Sequence, residues 1–262
     1  MERIFTDQMN RTVRLEGIPR RIVSLVPSQT ELLHDLGLED EVVGITKFCI
    51  YPDEWFGSKT RVGGTKQVNI EKVSKLQPDL IIGNKEENTK EDIEALEEIA
   101  PVWMSDIYNI EDALEMICSI GEIVDCKEKA VELAKTIQTR FDQLANPMAG
   151  RTVVYLIWKD PYLSVGTNTF IHSVIARIGF QNSIREVRYP EWKSELTELP
   201  EFLFLSTEPF PFKEDDVESL KDQFNGVKVM LVDGEMFSWY GSRMRLAPRY
   251  FRDLFNEITL PE

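Results

Sequence analysis

Two rhythms of apolar residues alternate along the chain. Residues 22–26, 42–45, 79–83 and 101–104 are short, nearly unbroken apolar runs, the pattern of strands buried on both faces. Between them the apolar positions fall at helical spacing. A helix is predicted over 29–36, closed by Gly37, and another over 70–76, capped by Asn69 and stopped at Pro78. Asn88 or Thr89 caps a third that runs to about Ile99. A fourth covers 110–124, with Ala113, Leu114, Ile117, Ile120 and Val124 on one face. Strand and helix in alternation predict an α/β fold, a parallel sheet with helices on both faces. Residues 46–67 lose the pattern and read as a long loop.

The same plan recurs after residue 150. Residues 152–157 form an apolar strand behind Arg151, as 22–26 do behind Arg21, and a helix over 169–178 ends at Gly179. An irregular stretch then leads to 196–199, Pro200 and a strand over 202–205, which echo 73–76, Pro78 and 80–82. A helix over 215–224, a strand over 227–232 and a closing helix over 247–258 complete the second half. Between the halves lies 127–146, with Ala130, Ala134, Ile137, Phe141 and Leu144 in one stripe and Pro147 and Gly150 at its end. Such a helix runs on the order of 30 Å. It suits a rod joining two lobes, and equally an amphipathic helix inside one domain; the repeat favours the rod. The expected organisation is an N-terminal α/β lobe over 1–126, a linking helix over 127–147 and a C-terminal α/β lobe over 148–262. These are two Rossmann-like lobes with parallel sheets joined by one long helix, with a ligand cleft between the lobes.

Composition narrows the function. The 262 residues are 42% hydrophobic and carry 30 Lys and Arg against 45 Asp and Glu, a formal charge of −15. That balance argues against a nucleic-acid or anionic-membrane surface, both of which need clustered cations. No run approaches the ~18 apolar residues of a membrane span. The first residues hold no apolar secretory core, so the chain as it stands reads as cytoplasmic. Cys49, Cys118 and Cys126 are an odd, widely spaced set, and His34 and His172 are the only histidines, so a zinc site of His and Cys is not expected.

In open α/β sheets ligands gather beyond the carboxyl ends of the strands. Segments 47–66, 84–88, 158–162, 206–212 and 234–245 follow strands here. Asn84, Lys85, Glu86, Glu87 and Asn88 set five polar residues at one strand end. Trp158, Tyr162, Phe210, Phe212, Trp239 and Tyr240 put rings on loops, offering flat apolar area with N–H and O–H handles. Packing down onto the sheets is the plain alternative. Glu86 and Glu87 equally suit the start of the next helix through its dipole, and Lys66 and Lys85 a solvated surface. His34 and His172 read as half-buried helix packing. No Ser–His–Asp order, GxGxxG or Walker loop occurs, and no nucleophile has an evident base, which weakens an enzyme reading.

At these residues a family likeness emerges. Arg21-Ile22-Val23-Ser24-Leu25-Val26-Pro27-Ser28-Gln29-Thr30-Glu31 resembles the opening motif of the substrate-binding proteins of ABC importers for cobalamin and ferric siderophores. Ile70-Glu71-Lys72-Val73 followed by Pro78-Asp79-Leu80-Ile81-Ile82 is similar to their second signature. Val62-Gly63-Gly64-Thr65-Lys66, residues 84–88, Ser206-Thr207-Glu208-Pro209 and Ser238-Trp239-Tyr240-Gly241-Ser242-Arg243 look like the subgroup of helical-backbone metal receptors. The likeness runs from about residue 21 to 258. It implies a non-enzymatic protein that captures a metal chelate between two lobes and hands it to an ABC permease and its ATPase. It implies a docking glutamate on each lobe, Glu71 by position and Glu195 in the second. It also implies a periplasmic location, against the cytoplasmic reading of the N-terminus. A monomer without a cofactor of its own or a nucleic-acid partner is expected.

The resemblance also sets expectations for the ligand. By analogy with cobalamin-binding members, Tyr51, Trp158 and Trp239 would pack on a corrin ring, and Lys66, Asn84 and Asn88 would meet its amide side chains; Tyr240 is a further ligand-binding candidate. An anionic ferric siderophore would instead draw on Lys66, Lys85 and Arg243, and Glu86, Glu87 and Glu208 would repel it. The balance favours a corrinoid, with a ferric siderophore next. A bare metal on Cys49, Glu86, Glu87 and Glu208 would mix soft and hard ligands. The rival readings are a chelatase-like enzyme and a cytoplasmic metal or corrinoid sensor, each using the same cleft.

Overall fold

The structure, a computed structural model, describes residues 2–194 and 198–259. The chain divides into two compact units. Met1–Ile107, Glu111–Gln138 and Tyr240–Arg243 form the first, and Tyr108–Ile110, Thr139–Trp239 and Met244–Glu262 the second.

The first unit is built on five parallel strands in the order Thr60–Arg61, Val42–Ile45, Ile22–Ser24, Leu80–Asn84, Val102–Ser105. Leu80–Asn84 is buried at every position, which is why its sequence does not alternate. From Ile22–Ser24 the chain steps to one side, then crosses to Leu80–Asn84 on the other. The strand order reverses between these two, and such a switch point is where open α/β sheets hold ligands. Helix Pro27–Leu36 leaves the first of these strands. Pro27, outside the predicted span of 29–36, opens that helix at a position where a missing N–H costs nothing. Gly37 closes it at φ 88°. Asn69 and Thr89 cap helices Ile70–Lys75 and Lys90–Glu97, their side chains accepting from the backbone N–H of Lys72 and Asp92.

Residues 46–67 depart from the expected structureless loop. They hold helix Asp53–Ser58 with a buried Trp55, the edge strand Thr60–Arg61, and a hairpin of Gly63–Gly64 with Gln67–Val68. Elements this short leave no period to read. The sequence pattern also passed over an N-terminal hairpin, Arg3–Thr6 with Thr12–Leu15. Buried Asp7 holds its turn by accepting from the backbone N–H of Met9 and Arg11.

Helix Ile110–Ile123 meets the long helix at Gly121, where a Cβ would stand 2.1 Å from that of Ala130. Only glycine lets the two backbones approach so closely. The long helix itself is Lys127–Asp142, ending before the predicted limit at Asn146. The chain passes from the first unit to the second within it, after Gln138. Asn146 has left the helix, and its carboxamide lies against Gly179 at a spot that a Cβ would occupy.

The second unit centres on the strand Thr152–Trp158. Phe202–Ser206 and Lys228–Val232 follow in parallel on one side. On the other, Gln181–Asn182 pairs in parallel and Leu163–Ser164 antiparallel. The order reverses between Thr152–Trp158 and Phe202–Ser206, which makes a second switch point. Val154, Leu156, Leu203, Leu205, Trp192 and Phe212 fill the core beside these strands. Helices Phe170–Arg177, Glu214–Gln223 and Ala247–Thr259 match their predicted spans within two residues. The echo predicted at 196–199 falls partly on residues 195–197, outside the described residues. Among the described residues no helix is long and apolar enough to cross a membrane.

Candidate functional site

At the first unit's switch point the loop after Leu80–Asn84 folds on its own side chains. The Asn84 Oδ1 accepts from the backbone N–H of Glu86 at 2.8 Å and of Glu87 at 3.1 Å. The Asn88 Oδ1 accepts from Asn84 N at 2.9 Å, and its Nδ2 donates to the Thr65 carbonyl at 2.8 Å. Below them, the Nδ2 of Asn84 and the Nε2 of Gln29 both donate to the Ser105 hydroxyl, at 2.9 and 2.7 Å. Asn84 and Asn88 are buried, and their amides are engaged in shaping the loop. Their effect is to hold the half-buried Glu86 and Glu87 at its tip. Lys85 is exposed and pairs with Asp106 at 2.5 Å. Lys66 is exposed beside buried Thr65.

A second constellation in this unit joins residues far apart in sequence. Gly241, at φ 103°, brings segment 240–243 against the first turn of Pro27–Leu36, where a Cβ would sit 3.0 Å from the Ser28 carbonyl. Arg243 then forks onto Glu31, Nε donating to Oε2 at 2.8 Å and Nη2 to Oε1 at 3.0 Å. Its guanidinium lies 4.2 Å above the ring of Tyr51. One face of Tyr51 is thus covered by Arg243. Tyr240 is buried. Burial, reinforced by the charge of Glu87, pushes its hydroxyl well above the ordinary phenol range, so it stays a proton donor.

In the second unit the switch-point loops bring Glu208 to Trp239. Helix Gly234–Ser238 follows the last strand, and its Asp233 cap accepts from Glu235 N at 3.0 Å. Phe237 anchors it in the core, fully buried. Gly234 is required, because a Cβ there would stand 2.4 Å from the Glu208 Cγ. Glu208 Oε1 accepts the Ser238 hydroxyl and, at 3.1 Å, the Trp239 indole N–H. The carboxylate therefore fixes the ring beside it. Trp158 ends its strand 42% exposed, edge-on to Phe210 at 5.7 Å, and Phe210 in turn meets Phe212 at 4.7 Å. Phe212 packs into the core and Phe210 and Tyr162 lie half-buried against it, so these three take the packing alternative.

The loop that carries Trp158 is pinned by an ion pair, Lys159 to Asp216 at 2.5 Å. Lys159 holds the Asp216 carboxyl below its ordinary value of 3.8. A lowered carboxyl adds stability above that value and loses it as pH falls through the folded pKa. Asp216→Asn is expected to cost about 1 kcal/mol at neutral pH, a cost that shrinks as pH falls through the folded pKa. Thermal unfolding of both proteins across pH 2–7 measures this; a constant difference across that range would remove the pair from the account.

The remaining candidates fall elsewhere. Cys49 is fully buried and hydrogen-bonded to Thr30 at 3.1 Å and Thr46 at 3.2 Å. Burial raises its thiol pKa, so it is a poor soft-metal ligand. Among the described residues no group of three or more His, Cys, Asp and Glu could hold a metal ion. His34 stands edge-on to Trp55 at 5.2 Å, and His172 Nδ1 meets the Asn182 amide at 3.1 Å, both as packing residues. Glu71 lies 78% exposed in the first turn of its helix, paired with Lys75 at 2.6 Å. Glu195 lies outside the described residues. Sequence reasoning gave no site role to Glu31, Asp106 or Ser238, although Glu31 and Ser238 lie inside motifs that carried the family likeness.

The chain is similar to several known proteins. An uncharacterized ABC transporter substrate-binding lipoprotein of Bacillus subtilis, YvrC, is 29% identical over 189 residues, which cover 68% of this chain and 59% of the lipoprotein. The chain thus spans well under the full length of that relative. A vitamin B12-binding protein of Vibrio parahaemolyticus is 25% identical over 194 residues, 71% of this chain and 70% of the relative. In fold, the chain resembles the vitamin B12-binding protein BtuF of Vibrio cholerae, with a TM-score of 0.78 at 20% identity over 93% of this chain and 99% of BtuF. A heme-binding protein of Pseudomonas aeruginosa gives the same TM-score and identity, over 94% of this chain and 95% of its own. The fold, then, does not single out a ligand. These relatives are binding proteins rather than enzymes. With residues 22–196 matching the family described as periplasmic binding protein, the chain belongs to that family.

Proposed function

We propose that this protein is the substrate-binding component of an ABC importer, that it captures a metal chelate on its strand-end loops, and that the chelate is a corrinoid. The observation that carries the choice is Glu208, which fixes the Trp239 ring while remaining an acceptor-only group. A flat apolar ring beside a carboxylate suits a macrocycle fringed with primary amides, whose N–H groups the carboxylate can accept. The same carboxylate repels an anionic ferric chelate. The vitamin B12-binding names among the relatives support the reading. Trp158 supplies further exposed indole area.

The test is a tryptophan-fluorescence titration with cyanocobalamin and cobinamide beside a ferric hydroxamate, a ferric catecholate, heme and free divalent metals. Saturable quenching by the corrinoids at the lowest concentrations is expected. Saturation by heme or a ferric chelate alone would replace the corrinoid by that ligand.

Delivery to a permease would use Glu71, whose exposed pair with Lys75 is weak enough to exchange for a partner's arginine. Glu71→Lys is expected to slow uptake severalfold in cells or proteoliposomes carrying the permease and ATPase, with corrinoid affinity within twofold of wild type. Undiminished uptake would remove Glu71 from the docking surface.

A further inference from the structure

Two of the cations that an anionic chelate would draw on, Arg243 and Lys85, are paired with carboxylates inside the first unit. Arg243 gives two hydrogen bonds to the Glu31 carboxylate and covers Tyr51. Both members of the pair are largely buried, with side chains 10% and 14% exposed, so salt screens the pair little. Lys85, more exposed, pairs with Asp106 through a single contact at 2.5 Å. Glu31 stands on the helix that leaves the switch-point strand, so its charge is delivered where ligands gather. A buried guanidinium stripped of its carboxylate is strongly uncompensated, and it recruits whatever anion can reach it.

We infer that Glu31 is a specificity-determining residue. By holding Arg243 in a forked pair against Tyr51, it withholds that positive charge from the ligand and excludes anionic metal chelates in favour of neutral and cationic ones. The inference rests on the chelate-binding reading above and deepens it, since it names what the site rejects.

Glu31→Gln removes the charge and keeps the shape. Wild type, Glu31→Gln and the double variant Glu31→Gln/Arg243→Gln are titrated with a ferric tris-catecholate and with cyanocobalamin. The ratio of catecholate to cyanocobalamin affinity should rise at least tenfold in Glu31→Gln, shrink as salt is raised, and fall back in the double variant. No rise, or a rise that survives the loss of Arg243, overturns the inference. If circular dichroism shows Glu31→Gln unfolded, Glu31→Asp takes its place; it stretches the pair, and a rise of about threefold is expected, an unchanged ratio counting against the inference. Wild type that binds neither cyanocobalamin nor another chelate sinks the functional reading instead, and catecholate binding across the three proteins then decides Glu31 by itself. Wild type that binds cyanocobalamin, with no change of ratio in Glu31→Gln, sinks this inference alone.

Discussion

Phe237→Ala should lower the stability of the second unit by about 3–5 kcal/mol, the range for truncating a fully buried aromatic ring. Phe237 has no exposed surface. It packs on Tyr155 and Phe251 at 5.0 Å each, on Phe204 at 6.2 Å and on Tyr250 at 6.3 Å. These rings come from strands Thr152–Trp158 and Phe202–Ser206 and from the closing helix of the unit, so one truncation opens a cavity that three elements share. At this size the loss corresponds to a melting shift on the order of 10 °C. Phe237→Leu, which keeps most of the volume, should cost about a third as much. Calorimetry of both variants reads the difference; a loss under about 1 kcal/mol for the alanine variant would mean the core closes over the gap. The functional consequence is local. Phe237 anchors the short helix that ends at Ser238, and without that anchor Trp239 and Glu208 lose their register.

Trp239→Ala should weaken corrinoid binding by about 2 kcal/mol, the value of one large apolar side chain buried against a ligand. That is roughly thirtyfold in affinity. The indole N–H sits 3.1 Å from Glu208 Oε1, so the ring is already ordered before ligand arrives and little entropy is lost in binding. Trp239→Phe retains most of the flat area but cannot donate to Glu208, and an intermediate loss is expected. Calorimetric titration is the right measure, because the mutation removes a fluorescent reporter. Affinity within threefold of wild type for the alanine variant would take Trp239 out of the site.

Much of the fold was legible because the signals were local. Gly37, Asn69, Thr89 and Thr169 each end or start a helix by a mechanism confined to one turn. The strands at 22, 80, 152 and 202 announce themselves as apolar runs because they are buried on both faces. Residues 46–67 were illegible for the opposite reason: their strands are two residues long. The long helix stops at Asp142, and Asn146 lies instead against Gly179, a tertiary contact that the stripe of apolar residues does not announce.

The site was legible in outline and not in detail. Strand-end loops could be located, and Asn84, Glu86, Glu87, Glu208 and Trp239 do stand at or beside the two switch points. Which atoms are committed inside the protein could not be read. Asn84 and Asn88 turn their amides inward because a buried loop must satisfy its own backbone N–H groups. Arg243 is matched by Glu31 across 212 positions of sequence, a separation over which charge patterning carries no information. Cys49 sat in a segment mistaken for an open loop and is sealed in the core.

The central claim is that a corrinoid binds, and equilibrium dialysis of the wild-type protein against cyanocobalamin tests it most directly. One equivalent of radiolabelled cyanocobalamin retained per chain, with a Kd on the order of 1 µM or tighter and full displacement of the label by unlabelled cobinamide, is the predicted result. No label retained, while heme or a ferric siderophore is held one to one, would contradict it.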